Sequence, residues 1–149
     1  MEREYEDTDW PDRIYVEEEN HLKYHELLSK AENDNVPFRS MKEIFMYSMI
    51  LGYLYKEPSS INTRKELIFE KYLDQKVDKP IIQCIYLIKE GKDSCIVDRK
   101  GATKLAEEYA NAGFNELYEV VTKGYDMVIS LTEFLIENYI GNNEVVGSN

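Results

Sequence analysis

The residues able to do chemistry are few, and they do not form a set. Two histidines, His21 and His25, stand four apart. On a helix that spacing puts both imidazoles on one face, where they can share a metal ion. No third ligand follows at a fixed distance, and the order is not the His-Glu-x-x-His of zinc hydrolases. An ordinary surface pair is the expectation. The two cysteines, Cys84 and Cys95, form no Cys-x-x-Cys and no metal-type cluster, and they read as reduced thiols of a cytoplasmic protein. Cys84 falls on an apolar helix face and is expected in the core. Cys95 has Lys92, Arg99 and Lys100 nearby, cations of the kind that lower a thiol pKa. A catalytic carboxylate pair needs environments that separate two pKa values. Glu17-Glu-Glu19 and Glu107-Glu108 are expected on solvated helix surfaces instead. Gly101-Ala-Thr-Lys104 lacks the spacing of a phosphate-binding loop, and no Gly-x-Ser-x-Gly elbow is present. The expectation is a protein that acts by binding, with no catalytic residues, cofactor or metal.

Charge constrains what it binds. The net charge of −11 is divided unevenly: residues 1–20 carry −7, residues 21–61 are neutral, residues 62–104 carry +3 and residues 105–149 carry −7. That balance opposes nucleic-acid binding over the whole surface and leaves room for a local basic patch in the middle segment, from Arg64, Lys65, Lys71, Lys76, Arg99, Lys100 and Lys104 among others. Twelve tyrosines are many for 149 residues. They suit core edges with a polar tip in water, or a partner-binding surface.

The elements that must position these residues follow from patterning. The length suggests one domain. An acidic, disordered arm is expected over residues 1–11, a single helical domain over 12–140 and a flexible tail over 141–149. The fold class is mainly α, with about six helices and at most a few short strands. Asp12-Arg-Ile-Tyr-Val16 alternates as a short strand. Glu17 to Lys30 predicts a helix with a stripe through Leu22, Leu27 and Leu28, and Glu32-Asn-Asp-Asn35 a turn. Ser40 and Glu43 predict a capped start to a helix that is apolar on nearly every face, buried all round, and stopped near Gly52. Met41 to Leu54, the most apolar run, is too short to span a bilayer, which takes about 20 residues. Glu66 to Glu70 is too short to assign to strand or helix. Asp78 and Pro80 open a mostly buried helix through Ile81, Ile82, Ile85, Leu87 and Ile88, ended by Gly91. Cys95-Ile-Val97 reads as a strand. A helix over Ala102 to Asn111 is capped by Ala112-Gly113, another runs from Phe114 to Lys123, and the last from Tyr125 to Tyr139.

A strand, a helix and a capped helix in that order also suit a ribbon-helix-helix DNA-binding part. There Arg13 and Tyr15 would face DNA, and the amides near Ser40 and Lys42 would grip its backbone. Glu17-Glu-Glu19 and the acidic arm oppose it. The residues singled out for contact with nucleic acid or a partner are Arg13, Tyr15, Arg39, Lys42, Arg64, Lys65, Arg99 and Lys100.

Two stretches carry a family resemblance. Pro37-Phe-Arg-Ser-Met-Lys-Glu-Ile-Phe-Met-Tyr-Ser-Met-Ile-Leu-Gly-Tyr53 and Leu105-Ala-Glu-Glu-Tyr-Ala-Asn-Ala-Gly-Phe-Asn-Glu-Leu117 resemble, in order and spacing, the small bacterial protein family encoded beside DNA phosphorothioation (Dnd) modification and restriction genes. The resemblance runs from about Asp12 to Tyr139, and it brings no catalytic residues. It implies a cytoplasmic accessory of a phage-defence system that places or reads sulfur in the DNA backbone. Its partners would be Dnd modification or restriction proteins. A DNA-binding regulator of such an operon, touching DNA through the basic patch, is the alternative. No membrane partner is implied, and the oligomeric state stays open.

Overall fold

The computed structural model describes residues 8–31, 38–123 and 127–146. Strand β1 (Arg13–Glu17) leads directly into helix α1 (Glu18–Ala31) and is followed by helix α2 (Met41–Tyr55). Strand β2 (Arg64–Phe69) then runs into a 3-10 turn at Glu70–Tyr72 and helix α3 (Asp78–Glu90). A second 3-10 turn, Asp93–Val97, precedes the long helices α4 (Arg99–Thr122) and α5 (Met127–Val146). The described residues form one mainly helical domain with a two-stranded antiparallel ribbon, β1 against β2.

Helix α2 is central, as its all-round apolarity requires. Ile44, Phe45 and Met49 are fully buried. The capped start is present: the Glu43 N–H donates to Ser40 Oγ at 3.3 Å, and the Glu43 carboxylate reaches back to accept from the Arg39 N–H at 2.6 Å. Gly52 does not stop the helix, which continues to Tyr55. Nor does Gly113 end one, because α4 is a continuous helix of 24 residues. Both glycines mark where α2 and α4 touch. A Cβ on Gly52 would run into the Tyr109 carbonyl, and one on Gly113 into the Ser48 carbonyl. Glycine serves here as missing bulk rather than as a chain terminator, so the two helices expected around Gly113 are one. Among the described residues five α-helices stand where about six were expected. At Gly91 the expectation of a stop is met: φ is +71°, and its N–H donates to the Leu87 carbonyl at 2.7 Å.

Other boundaries moved for identifiable reasons. The buried stripe of α1 is Asn20, Tyr24 and Leu27, while Leu22 is 78% exposed; Tyr24 stacks on Phe114 at 4.0 Å. On α3 the buried stripe is Ile82, Ile85 and Tyr86, so Cys84, expected in the core, is exposed, and so is Ile88. Cys95-Ile-Val97 is a 3-10 turn rather than a strand, and the Cys95 side chain lies outside the described set. The short run at Glu66 belongs to β2, where pairing with β1 decides its state. Helix α5 continues past Gly141 to Val146. Of the acidic arm, residues 1–7 lie outside the described residues, as do the turn at 32–35, the stop at Gly124 and the last three residues. From Thr8 on, the approach to β1 is tied to α4. The Thr8 N–H donates to the Val97 carbonyl at 3.0 Å, and Thr8 Oγ1 accepts from the Lys100 N–H at 3.0 Å. Asp98 completes the cap by accepting from the Gly101 N–H at 3.0 Å. Among the described residues no helix is long and apolar enough to cross a membrane.

The Gly113→Ala variant separates two physical terms. Helix propensity alone favours alanine by about 1 kcal/mol, whereas the clash with the Ser48 carbonyl costs about 1–3 kcal/mol or more. Urea unfolding should show a net loss of stability; an unchanged or higher midpoint contradicts the close contact.

Candidate nucleic-acid interface

The register of the ribbon decides what it presents. Arg13 pairs with Phe69, Ile14 with Ile68, Tyr15 with Glu66, Val16 with Lys65 and Glu17 with Arg64, and a bulge falls between Ile14 and Tyr15. Residues directly opposite share a face, and faces alternate along a strand. Ile14 and Val16 are buried, so Arg13, Tyr15, Arg64, Glu66 and Phe69 form the outer face. The bulge leaves Leu67 without a partner and so keeps Phe69 beside Arg13. The Arg64 guanidinium lies 4.1 Å from the Tyr15 ring centre, and that of Arg13 lies 4.8 Å from Phe69. Lys71 extends the series, 5.4 Å from the Phe69 ring and 5.5 Å from Tyr72. Cations therefore alternate along one side of the ribbon with aromatic rings, Tyr15 half-buried and Phe69 and Tyr72 exposed.

This face ends in a cleft of about 550 Å³ against the N-terminal half of α4. Tyr15 and Arg64 line it from the ribbon, Pro11 and Ile61 from the flanking loops, and Lys100, Thr103, Lys104, Glu107 and Glu108 from α4. Spacings of three and four residues put those α4 positions on one side of the helix. Arg64 and Lys104 lie near opposite ends of the basic segment, 62–104, and the fold brings them together.

Glu107 is the buried ionisable member of the set, at 4% exposure. It accepts a hydrogen bond from the Tyr15 N–H at 2.8 Å, on the edge of β1 that β2 leaves open, and a long one from Arg64 Nη2 at 3.4 Å. Burial pushes its pKa up to about 7, against the opposing pull of the Tyr15 amide and Arg64, and Glu108 adds to the rise. The expectation of a solvated helix surface fails here, because α4 is covered by α2 on one side and by β1 on the other. No periodicity within the helix reports that second cover.

Four acids of the basic segment are engaged within the fold. Glu66 pairs with Arg13, Glu70 with the buried Lys79, and Asp78 with Lys42 at 3.0 Å. Asp74 accepts from the Lys76 and Val77 amides at 2.7 and 2.9 Å. Among the described residues Lys71, Lys76, Lys100 and Lys104 carry no ion pair.

The eight contact residues singled out in the sequence divide accordingly. Tyr15, Arg64 and Lys100 meet at the cleft, and Arg13 lies further along the same face. Arg99 sits behind it, donating to the Thr8 carbonyl at 3.3 Å. Lys65 is exposed near His21, whose pKa is lowered by partial burial, by His25 and by Lys65 itself. Lys42 is held by Asp78, and Arg39 stands apart at the start of α2. The sequence reading missed Glu107, Phe69 and Tyr72 as members of the face. The strand required by the ribbon-helix-helix order is present, but its partner is β2 of the same chain, and Glu107 occupies part of its other edge. His21 and His25 have ring centres 4.6 Å apart, yet among the described residues no group of three or more histidine, cysteine or acidic side chains is placed to hold a metal.

The fold and this face define a small helical domain with a basic, aromatic-flanked ribbon. The chain belongs to the family described as DNA sulphur modification system-associated protein 4, which it matches over residues 13–145. That agrees with the resemblance carried by Pro37–Tyr53 and Leu105–Leu117 and ties the chain to Dnd phosphorothioation systems. Comparison with curated proteins and with solved structures gave no match.

The position of Glu107 makes stability depend on pH. In the unfolded chain its carboxyl titrates near the ordinary 4.5, and in the fold near 7. The folded state therefore holds the extra proton between those values. The stability it brings is complete below the unfolded value and is lost as pH rises through the folded one. Glu107→Gln keeps an acceptor for the Tyr15 amide without the charge. Relative to wild type, the variant should gain of order 2–3 kcal/mol between about pH 5 and pH 8 in urea melts. A difference that stays flat with pH contradicts this reading of Glu107.

Proposed function

We propose that this protein is an accessory of a DNA sulphur modification system, acting by binding, and that its ribbon face contacts the DNA backbone. The observation that carries the proposal is the row of cations and aromatic rings from Lys104 and Lys100, through Arg64 on Tyr15 and Arg13 on Phe69, to Lys71 beside Tyr72. Cations neutralise phosphates, and aromatic faces accept unstacked bases. The rest of the molecule is acidic, with a net charge of −11. Binding is therefore local, weak in isolation and steeply dependent on salt. It suits an accessory that reaches DNA alongside the modification machinery in the cytoplasm, rather than a protein that finds DNA alone.

A second reading, docking on another protein of the system, is favoured by α5. Its Ile129 and Ile136 are 56% and 50% exposed, and Leu54 on α2 is 56% exposed. Isolated hydrophobics are ordinary on a surface, but two on one helix a heptad apart form a stripe that suits a partner helix.

Fluorescence anisotropy with short single-stranded and duplex DNA at low salt tests the first reading. The expected slope of log affinity against log salt is about −2 to −4, from a few phosphate contacts. Lys100→Glu with Lys104→Glu, at two lysines that carry no ion pair among the described residues, should weaken binding at least about tenfold without lowering the melting temperature. Absence of binding at low salt, or indifference to that charge reversal, overturns it. Recovery of a system protein by the charge-reversed variant, lost on Ile129→Asp, favours the second reading.

A further inference from the structure

The cleft at the end of the ribbon is more closely built than a stretch of positive surface. Three cations converge on it from two elements: Arg64 from β2, and Lys100 and Lys104, about one turn apart, from α4. Pro11 and Ile61 give it apolar walls, and its volume is that of a small-ligand cleft. Between the cations sits one buried carboxylate, Glu107, whose Oε2 accepts from the Tyr15 amide while Oε1 takes the long contact from Arg64. A buried carboxylate paired this loosely competes with any oxyanion that enters the cleft.

We propose that this cleft binds a single phosphodiester group, and that Glu107 releases Arg64 to the incoming oxyanion and takes up one proton from solvent as it does so. The proposal rests on the DNA-contact reading above and names the chemical group and the residues that would hold it. No bond to the phosphate forms or breaks. Arg64, Lys100 and Lys104 donate to the oxyanion. Protonated Glu107 keeps the Tyr15 amide on one oxygen and offers its new O–H from the other. The charged or polar groups facing Glu107 are the Tyr15 amide from β1, Arg64 from β2, and Thr103, Lys104 and Glu108 from α4. With its pKa already raised by burial to about 7, Glu107 takes up the proton near neutral pH at small cost. A bound anion raises that pKa further, so affinity must rise as pH falls through neutrality and level off where Glu107 is already protonated.

The test is a 15N NMR titration of the full chain with thymidylyl-(3′→5′)-thymidine. Its one diester keeps a single charge across the range, so any pH dependence belongs to the protein. At millimolar concentrations the Tyr15 amide and the Lys100–Glu107 segment should shift. The affinity should fall about fivefold to tenfold from about pH 6 to pH 8. Glu107→Gln should still bind but lose the pH dependence, and Lys100→Ala with Lys104→Ala should lose binding while remaining folded. The proposal is overturned by a pH-independent wild-type affinity, by a dependence that survives in Glu107→Gln, or by tighter binding of thymidine 5′-monophosphate, which would assign the cleft to a terminal phosphate. If the dinucleotide leaves the Tyr15 amide unmoved while longer DNA still binds, the cleft assignment fails and the ribbon-face reading stands. If neither binds, both fail.

Discussion

The contact on which this structure depends is the one between Gly52 and Gly113. With no side chain on either residue, α2 and α4 approach until a single added carbon would strike the opposite backbone. That closeness lets α2 bury most of its apolar surface, although Tyr47 and Leu54 leave one stripe exposed where burial all round was expected, and lets α4 run unbroken for 24 residues. The length of α4 matters for the face described above. Its middle is clamped on α2 at Tyr109 and Gly113, and Phe114 stacks on Tyr24 of α1. The same rigid rod then carries Lys100, Thr103, Lys104 and Glu107 past the edge of β1. A break at Gly113 would uncouple the cleft from the core. In the continuous helix, core packing and cleft geometry are one constraint.

The ribbon is the second half of that assembly. Two helices lie between β1 and β2 in the chain, so their pairing closes a long loop, which is slow to form but cheap in stability per added residue. It is secured at both margins. The Glu17 carboxylate accepts from the Asn62 and Thr63 amides at 2.9 and 2.7 Å, and Glu107 meets the Tyr15 amide on the open edge. An open strand edge invites pairing with other chains, and a buried carboxylate against it is an effective block. Electrostatics follow from the same placement. Among the acids interleaved through residues 62–104, Glu70 and Asp78 turn to Lys79 and Lys42 and Asp74 to turn amides, while Glu66 pairs with Arg13 on the outer face itself, so Lys71, Lys100 and Lys104 are what make that face basic.

Much of the fold was legible from local signals. Ser40 with Glu43 marks the start of α2, the alternation at Arg13–Val16 marks β1, and Asp78 with Pro80 and Gly91 brackets α3. These depend on backbone chemistry within a few residues. What failed depends on partners distant in sequence. Gly52 and Gly113 read as stops because local chemistry cannot distinguish a glycine that ends a helix from one that admits a neighbour. The stripe of α1 was misassigned to Leu22 because its true members include Asn20 and Tyr24, polar residues buried by tertiary packing. Of the candidate site, the cations Arg13, Arg64 and Lys100 and the ring of Tyr15 were visible as residue types within charge blocks. Glu107 was not, since its burial is imposed by β1, some ninety residues away in the chain.

The central claim is that one face, built from the ribbon and the start of α4, meets the DNA backbone. A 15N-labelled sample titrated with a short DNA duplex at low salt examines it residue by residue. The account predicts amide shifts concentrated at Tyr15, Arg64, Phe69, Lys71, Lys100 and Lys104, with α5 and the exposed side of α3 unmoved, and their reversal as salt is added. Shifts centred on α5, or spread evenly with no preference for the ribbon, would contradict it.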